Sequence, residues 1–303
     1  MDRLASAHTC PDAEVPTART DLLRVAGAGV LWGTGGLAGI LLARSTGLSP
    51  LAVACYRLLV GGLLLVALLA ATGRLRRVRR DAAALRRLTA FGLLAALYQS
   101  CYFAAVALTS VSLATLVTLG ATPVLVVAAD AALTRRRPSA TLLATVLLAL
   151  IGLAMLVGSP GSGREPWVGT LLALGSAAGF SAITLLGRRQ LAGLDAVSTT
   201  AGGFTLGGLL LAVVVTPAGL GFAVAPVPLA QVLYLGLVPT ALAYVLYFGG
   251  LRTVRPGPAS LIALLEPLTA AMLGAVLLGD RLGLLGTAGA LLIAAAVVLC
   301  RRQ

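Results

Sequence analysis

The sequence predicts an all-α membrane protein: ten transmembrane helices in two inverted five-helix repeats, with N- and C-termini cytosolic. Three observations carry this reading. Apolar runs of about 20 residues, each enough to cross a hydrocarbon core of about 30 Å, recur along nearly the whole chain. All 23 Lys/Arg positions are arginine, and almost all of them fall between those runs, concentrated in alternate connections. Residues 91–156 slide onto 235–300 without a gap. The 303 residues are 59% hydrophobic and 11% charged, with mean hydropathy +1.00, against about 25% charge in a soluble domain. The runs do not alternate in the segments of about ten residues that a β-barrel needs.

The elements follow in order. Residues 1–24 are polar, contain acids and the single histidine (His8), and lack the apolar core of a signal peptide, so a short cytosolic tail is expected. Ten spans can then be drawn at 25–43, 50–72, 88–108, 111–133, 139–158, 166–187, 197–216, 229–250, 257–278 and 283–300. The stretch GSPGSGREP (158–166), rich in Gly, Pro and Ser, divides them five and five. The repeats are therefore expected at 25–158 and 166–302.

Charge sets the orientation. With the N-terminus in the cytosol, nineteen of the 23 arginines fall in cytosolic segments, among them Arg74, Arg76, Arg77, Arg79, Arg80, Arg86 and Arg87. Only Arg44, Arg164 and Arg281 fall outside, and Arg57 lies within a span. Positively charged loops stay in the cytosol, and one miscounted span would invert every later loop. The formal charge of +13 thus reads as membrane orientation and not as a nucleic-acid surface. The lack of lysine fits codon pressure from a high-G+C bacterial genome, hence a bacterial inner (plasma) membrane.

The ungapped repeat superposes Gly92 on Gly236, Thr109 on Thr253 and the mid-span Pro123 on Pro267. Five spans is an odd number, so the second copy enters from the opposite side. Inverted repeats are typical of alternating-access transporters.

Ionisable residues within spans are costly and mark function by default. Glu266 lies nine residues into span nine, about 14 Å at 1.5 Å per residue. Pro267 follows it and frees a backbone carbonyl. Glu266 is a candidate for proton coupling or substrate contact; the bland alternative is a buried carboxylate held by a partner. Arg57 lies about 10 Å inside span two, free to snorkel outward or to pair with Glu266. Asp130, a turn from Arg135–Arg137, reads as an interfacial ion pair with them.

Polar stripes form a second line. Span four carries Ser112, Thr115, Thr118 and Thr122 at steps of three and four; span three has Tyr98 and Tyr102; span eight has Thr240, Tyr244 and Tyr247; span nine has Ser260, Ala263, Glu266 and Ala270. Each stripe sits on one helix face. It either lines a cavity or holds helices together. Trp32 lies too deep for the interfacial belt, so its N–H needs a partner or a cavity. The glycines of span one suit close helix packing. Cys10, Cys55, Cys101 and Cys300 have no metal or redox spacing, no cofactor motif is present, and no Ser, His or paired-acid catalytic set occurs. An intramembrane enzyme is thereby disfavoured.

LWGTGGLAGILLARSTGLSPLAVACYRLLVGGLLL (31–65) resembles the opening of the EamA-type repeat of the drug/metabolite transporter superfamily: a Trp-Gly in helix one, a Ser-Pro in the first loop, an Arg-Leu in helix two. LGLVPTALAYVLYFGGLRTVRPGPASLIALLEPLTAAMLGAVLLGDRLGLLGTAGALLIAAAVVL (235–299) looks like the end of the second repeat, with its Ala-Tyr, Tyr-Phe, Glu-Pro and Leu-Gly-acid. Asp280 stands where Glu is usual. The first repeat departs more, with Thr122 before Pro123 and RRRP in place of the Leu-Gly-acid turn. The resemblance implies an inner-membrane carrier whose cavity is lined by helices one, three, four, six, eight and nine. Helices five and ten would lie at the periphery or at a homodimer contact. It implies a small-molecule substrate, an amino acid, related metabolite or drug, mostly exported. A flippase for lipids or lipid-linked sugars is the other transport reading, to be recognised by a lateral opening between helices.

Overall fold

In a computed structural model, ten helices among the described residues are long and apolar enough to cross a membrane. The structure describes residues 18–158, 164–189, 191–279 and 283–300. The rest of the N-terminal tail with His8 and Cys10, the centre of the Gly/Pro/Ser connection, and Asp280, Arg281, Arg301 and Arg302 lie outside the described residues. The spans are α1 (Ala18–Thr46), α2 (Pro50–Ala71), α3 (Ala82–Leu108), α4 (Val111–Thr134), α5 (Ala140–Val157), α6 (Pro166–Arg188), α7 (Ala196–Val215), α8 (Pro226–Gly250), α9 (Pro256–Leu277) and α10 (Gly283–Cys300).

Local chemistry sets the ends. Ser49, Asp81, Ser110, Ser139 and Asp195 each accept a hydrogen bond from a backbone N–H in the first turn of α2, α3, α4, α5 and α7. Loss of such a cap typically costs about 1 kcal/mol. Gly47, between α1 and α2, has φ +72°, a conformation only glycine adopts without strain. The chain can thus reverse in three residues.

Three expectations about the elements need correction. Residues 18–24, expected in the tail, belong to α1: Asp21 sits in its first turn, where the helix dipole favours an acid. Helix α3 begins at Ala82, six residues before the drawn span, because Asp81 caps it there; Arg86 and Arg87 are helical and not in a loop. Helix α9 is broken. It runs Pro256–Ile262, turns at Ala263 and Leu264, and resumes as Leu265–Leu273 before a π-helical turn over Gly274–Leu278. Pro267 has no N–H to give the Ala263 carbonyl four residues back. The Glu266 N–H donates to that carbonyl instead, at 2.9 Å.

The packing obeys the internal two-fold. Helix α2 lies along α7, and α5 along α10. Helix α3 packs on α6 and α7, and its counterpart α8 packs on α1 and α2; α4 packs on α6 as α9 packs on α1. Gly92 and Gly236 hold equivalent positions. A Cβ on Gly92 would fall 2.8 Å from the Gly203 carbonyl oxygen on α7, and one on Gly236 would fall 3.0 Å from the Gly61 nitrogen on α2. Backbones touch at these points, so no larger side chain fits. Between lipid-facing surfaces as apolar as the helices themselves, such contact is the main source of attraction.

Candidate functional site

A cavity of about 280 Å³ opens among α1, α2, α3, α4, α6, α8 and α9. Helix α2 was not among the helices implied by the resemblance; it supplies Val53, Ala54 and Arg57. Of the residues singled out above, Trp32, Arg57, Tyr98, Tyr102, Thr115, Thr118, Thr122, Tyr244, Ser260, Ala263 and Glu266 line this one space, while Ser112, Thr240, Tyr247 and Ala270 do not.

The two charges face the same cavity without forming an ion pair: no Arg57–Glu266 contact falls within 4.0 Å. Instead α8 holds the guanidinium. Arg57 Nε donates to Thr240 Oγ1 at 2.9 Å, and Nη2 donates to the Pro239 carbonyl at 3.2 Å. That carbonyl belongs to a π-helical turn over Leu237–Leu242, and π-turns within α-helices recur at functional sites. Nη1 has no hydrogen-bond partner among the described residues. Glu266 sits in the first turn of the resumed half of α9, at the positive end of that half-helix dipole. Gly33 of α1 makes this possible. A Cβ there would fall 2.6 Å from the Glu266 carbonyl oxygen and 2.5 Å from Thr269 Cβ.

Aromatic rings floor the cavity. Trp32 packs edge-on against Phe180 and Tyr244, with centroids 5.7 and 4.9 Å away, and lies 5.0 Å from Tyr247. The Tyr98 and Tyr244 hydroxyls share a hydrogen bond at 3.0 Å that joins α3 to α8, one helix from each repeat. Trp32 is 3% exposed, and its Nε1–H has no hydrogen-bond partner among the described residues. Tyr247 lies behind the floor and shares a hydrogen bond with Thr184.

The stripes divide between cavity and packing. Thr118 donates to the Ala173 carbonyl on α6, and Thr122 to the Thr118 carbonyl of its own helix. Thr115 bonds Tyr102 across α3 and α4. These hydroxyls border the cavity, yet their hydrogen bonds are already filled. Thr240 is occupied by Arg57, while Ser112 and Ala270 face outward. Gln99 was missed. It is 2% exposed, lines the cavity and donates from Nε2 to the Tyr98 hydroxyl; its signal was an amide in mid-span between two tyrosines. Phe180 carried no signal beyond being one more apolar residue.

The exposed apolar side chains of the lining lie toward one end. Ala43 and Val106 stand there with three exposed residues, Pro50, Ile40 (50%) and Val111 (61%), all near the α1–α2 and α3–α4 connections. The opposite end contributes no lining residue and is cross-tied. Asp21, 0% exposed, accepts from Arg24 at 2.7 Å and from Thr253 Oγ1 at 2.9 Å, so the start of α1 is joined to the α8–α9 connection. Asp130 pairs with Arg188 at 3.0 Å, not with Arg135–Arg137. The reason is packing: α4 lies against α6, which brings the two helix ends together, while Arg135 has turned into a left-handed backbone cap. Arg74 pairs with Asp195, and the Arg79 N–H donates to the Gly193 carbonyl.

Comparison with known proteins agrees with this architecture. The sequence pattern of the EamA-like transporter family matches residues 21–158 and, a second time, 167–302. The chain is 32% identical over 255 residues to the uncharacterized transporter YwfM of Bacillus subtilis (strain 168), covering 84% of each. It is 28% identical over 287 residues to the uncharacterized inner membrane transporter YicL of Salmonella typhimurium (strain LT2), covering 93% of this chain and 95% of that one. A known crystal structure superposes with TM-score 0.79 over 93% of this chain and 96% of the other, at 22% identity. At that identity the likeness is one of fold.

Proposed function

This chain belongs to the EamA-like transporter family and is a multi-pass membrane transporter; we propose that it is a secondary carrier of the bacterial inner membrane that exports a small amphiphilic zwitterion, an amino acid or a close relative. One observation carries the reading: Arg57 and Glu266 face the same aromatic-floored cavity without forming a direct ion pair. A lone intramembrane charge is costly and needs a partner or water. A substrate carboxylate would complete the Arg57 fork at Nη1, where planar bidentate geometry is favoured, and its ammonium would face Glu266. The rings of Trp32, Phe180 and Tyr244 would cover its apolar side chain. A simple organic cation would meet Arg57 as a like charge.

The arginine-rich end is the cytosolic one in this reading, so the conformation described faces outward. Turning inward would break the Asp21–Thr253, Asp130–Arg188 and Arg74–Asp195 ties and close the rim around Ile40 and Val111. The break in α9 at Ala263–Leu264 and the π-turn in α8 are the natural hinges, since both already interrupt the regular hydrogen-bond ladder. Glu266, whose side chain makes no hydrogen bond or ion pair among the described residues, would carry a proton between the two faces.

A proteoliposome panel tests the proposal. Zwitterionic amino acids with large apolar side chains should exchange across the membrane, and Arg57→Gln should remove this while sparing amphiphilic cations. Transport of cations only, unaffected or improved in Arg57→Gln, would replace the zwitterion reading with a drug exporter.

A further inference from the structure

A second pocket of about 280 Å³ lies outside the transport cavity, between the α2–α3 connection and the start of α7. Its walls are Arg74, Arg77, Val78, Gly193, Leu194 and Asp195, with Ser198 at the edge. We infer that this pocket binds the phosphate group of an anionic phospholipid.

The charge balance points to an anion. Asp195 is fully engaged: one oxygen caps α7 by accepting from the Ser198 N–H at 2.8 Å, and the other accepts from Arg74 Nη2. Arg77 has neither a carboxylate nor a hydrogen-bond acceptor among the described residues. The same connection carries Arg76, Arg79 and Arg80, and its single acid, Asp81, is taken by Arg79. A net positive pocket therefore remains after every internal pair is counted.

Position points to a lipid and not to a soluble anion. The connection leaves the membrane-spanning α2 at Ala71, and a 3₁₀ turn over Arg74–Arg77 follows three residues on; a segment this close to the end of a span is within reach of lipid headgroups. Val78, one wall of the pocket, packs into an apolar cluster built on Leu65, Leu69 and Ala201. The space thus sets cationic walls beside apolar ones, complementary to the anionic head and apolar chains of a glycerophospholipid. Basic pockets between helix ends on the cytosolic side suit such headgroups.

The walls come from both repeats, the arginines from the first and Gly193–Ser198 from the second. A bound phosphate bridging Arg74 and Arg77 beside the Arg74–Asp195 tie would brace the cross-tied end of the carrier. Anionic lipid would then favour the conformation open at the other end.

The experiment is a lipid titration of the purified full chain in neutral detergent, read by native mass spectrometry. Phosphatidylglycerol should bind at least about tenfold more tightly than phosphatidylcholine. Arg74→Gln with Arg77→Gln should weaken phosphatidylglycerol binding by roughly thirtyfold, the expectation for two arginines near an anionic surface. Arg76→Gln with Arg80→Gln removes the same charge outside the pocket and should change it by less than about threefold. Arg77→Gln alone breaks no internal contact, so the chain stays folded, and a loss of about fivefold is expected. Equal loss in the two double variants would reduce the effect to diffuse surface attraction and overturn the site. So would equal binding of both lipids, or inorganic phosphate and glycerol phosphate binding as tightly as the lipid.

Discussion

Arg57 and Glu266 sit in one cavity on α2 and α9, held by different neighbours. Arg57 is anchored by Thr240 and Pro239, so its position does not depend on the glutamate. Replacing Glu266 by Gln keeps the shape and removes the charge. The variant is expected to reach the membrane at normal levels and run as a monodisperse peak, with transport lost or no longer responsive to a pH gradient. Misfolding of Glu266→Gln that Arg57→Gln repairs would instead mark a structural ion pair. Gly33 is the second decisive residue. Its missing side chain admits the Glu266 carbonyl to within 2.6 Å of where a Cβ would stand. Gly33→Ala must push α1 from α9, and overpacking of this kind costs about 1–3 kcal/mol. A melting temperature several degrees lower in detergent, with transport falling further than stability alone explains, is the expected result.

Helices α3, α4 and α8 show how far a stripe can be trusted. Period-three-and-four spacing put Thr115, Thr118 and Thr122 on one face, and that face does border the cavity. Periodicity could not say that their hydroxyls would be bonded to Tyr102, Ala173 and their own helix. Accessibility separates the two roles. In a background with all four cysteines, Cys10, Cys55, Cys101 and Cys300, replaced, cysteines at Tyr98, Thr115, Thr122 and Tyr244 should react with small polar thiol reagents in membranes. Substrate should protect them. Cysteines at Phe91, Val126 and Leu153, buried in packing and away from the cavity, should stay inert. Equal inertness of both sets would make the stripes helix glue alone.

The whole bundle is cross-tied at the end that holds most of the arginines, and the exposed lining of the cavity lies toward the other. Its inverted packing, α3 on α7 mirrored by α8 on α2, makes the two ends near-equivalents that differ in which ties are formed. If the arginine-rich end is cytosolic, a fluorescent protein fused to Gln303 should mature and glow, and a reporter active only outside the cytosol should stay silent. The reverse pattern would turn the carrier over and make the conformation inward-facing. A disulfide in place of the Asp130–Arg188 tie should stop turnover reversibly, read as transport restored by reductant.

Composition and spacing by themselves determined the number of membrane crossings, the place of nearly every one, and the internal repeat. These are set by a strong local signal: about 20 apolar residues must span the bilayer, and charges must fall between them. The candidate residues were legible for the same reason, since a charge or aromatic hydroxyl in mid-membrane stands out against Leu and Ala. What those residues do to each other was decided only by tertiary structure. Sequence distance says nothing of whether Arg57 meets Glu266 or Thr240, 183 residues away. Asp130 was matched to the arginines nearest in sequence, yet the packing of α4 on α6 gave it Arg188. The break in α9, the cavity's exposed end and the lipid pocket also arise between helices, where close approach and hydrogen-bond geometry choose among partners the sequence leaves equally available.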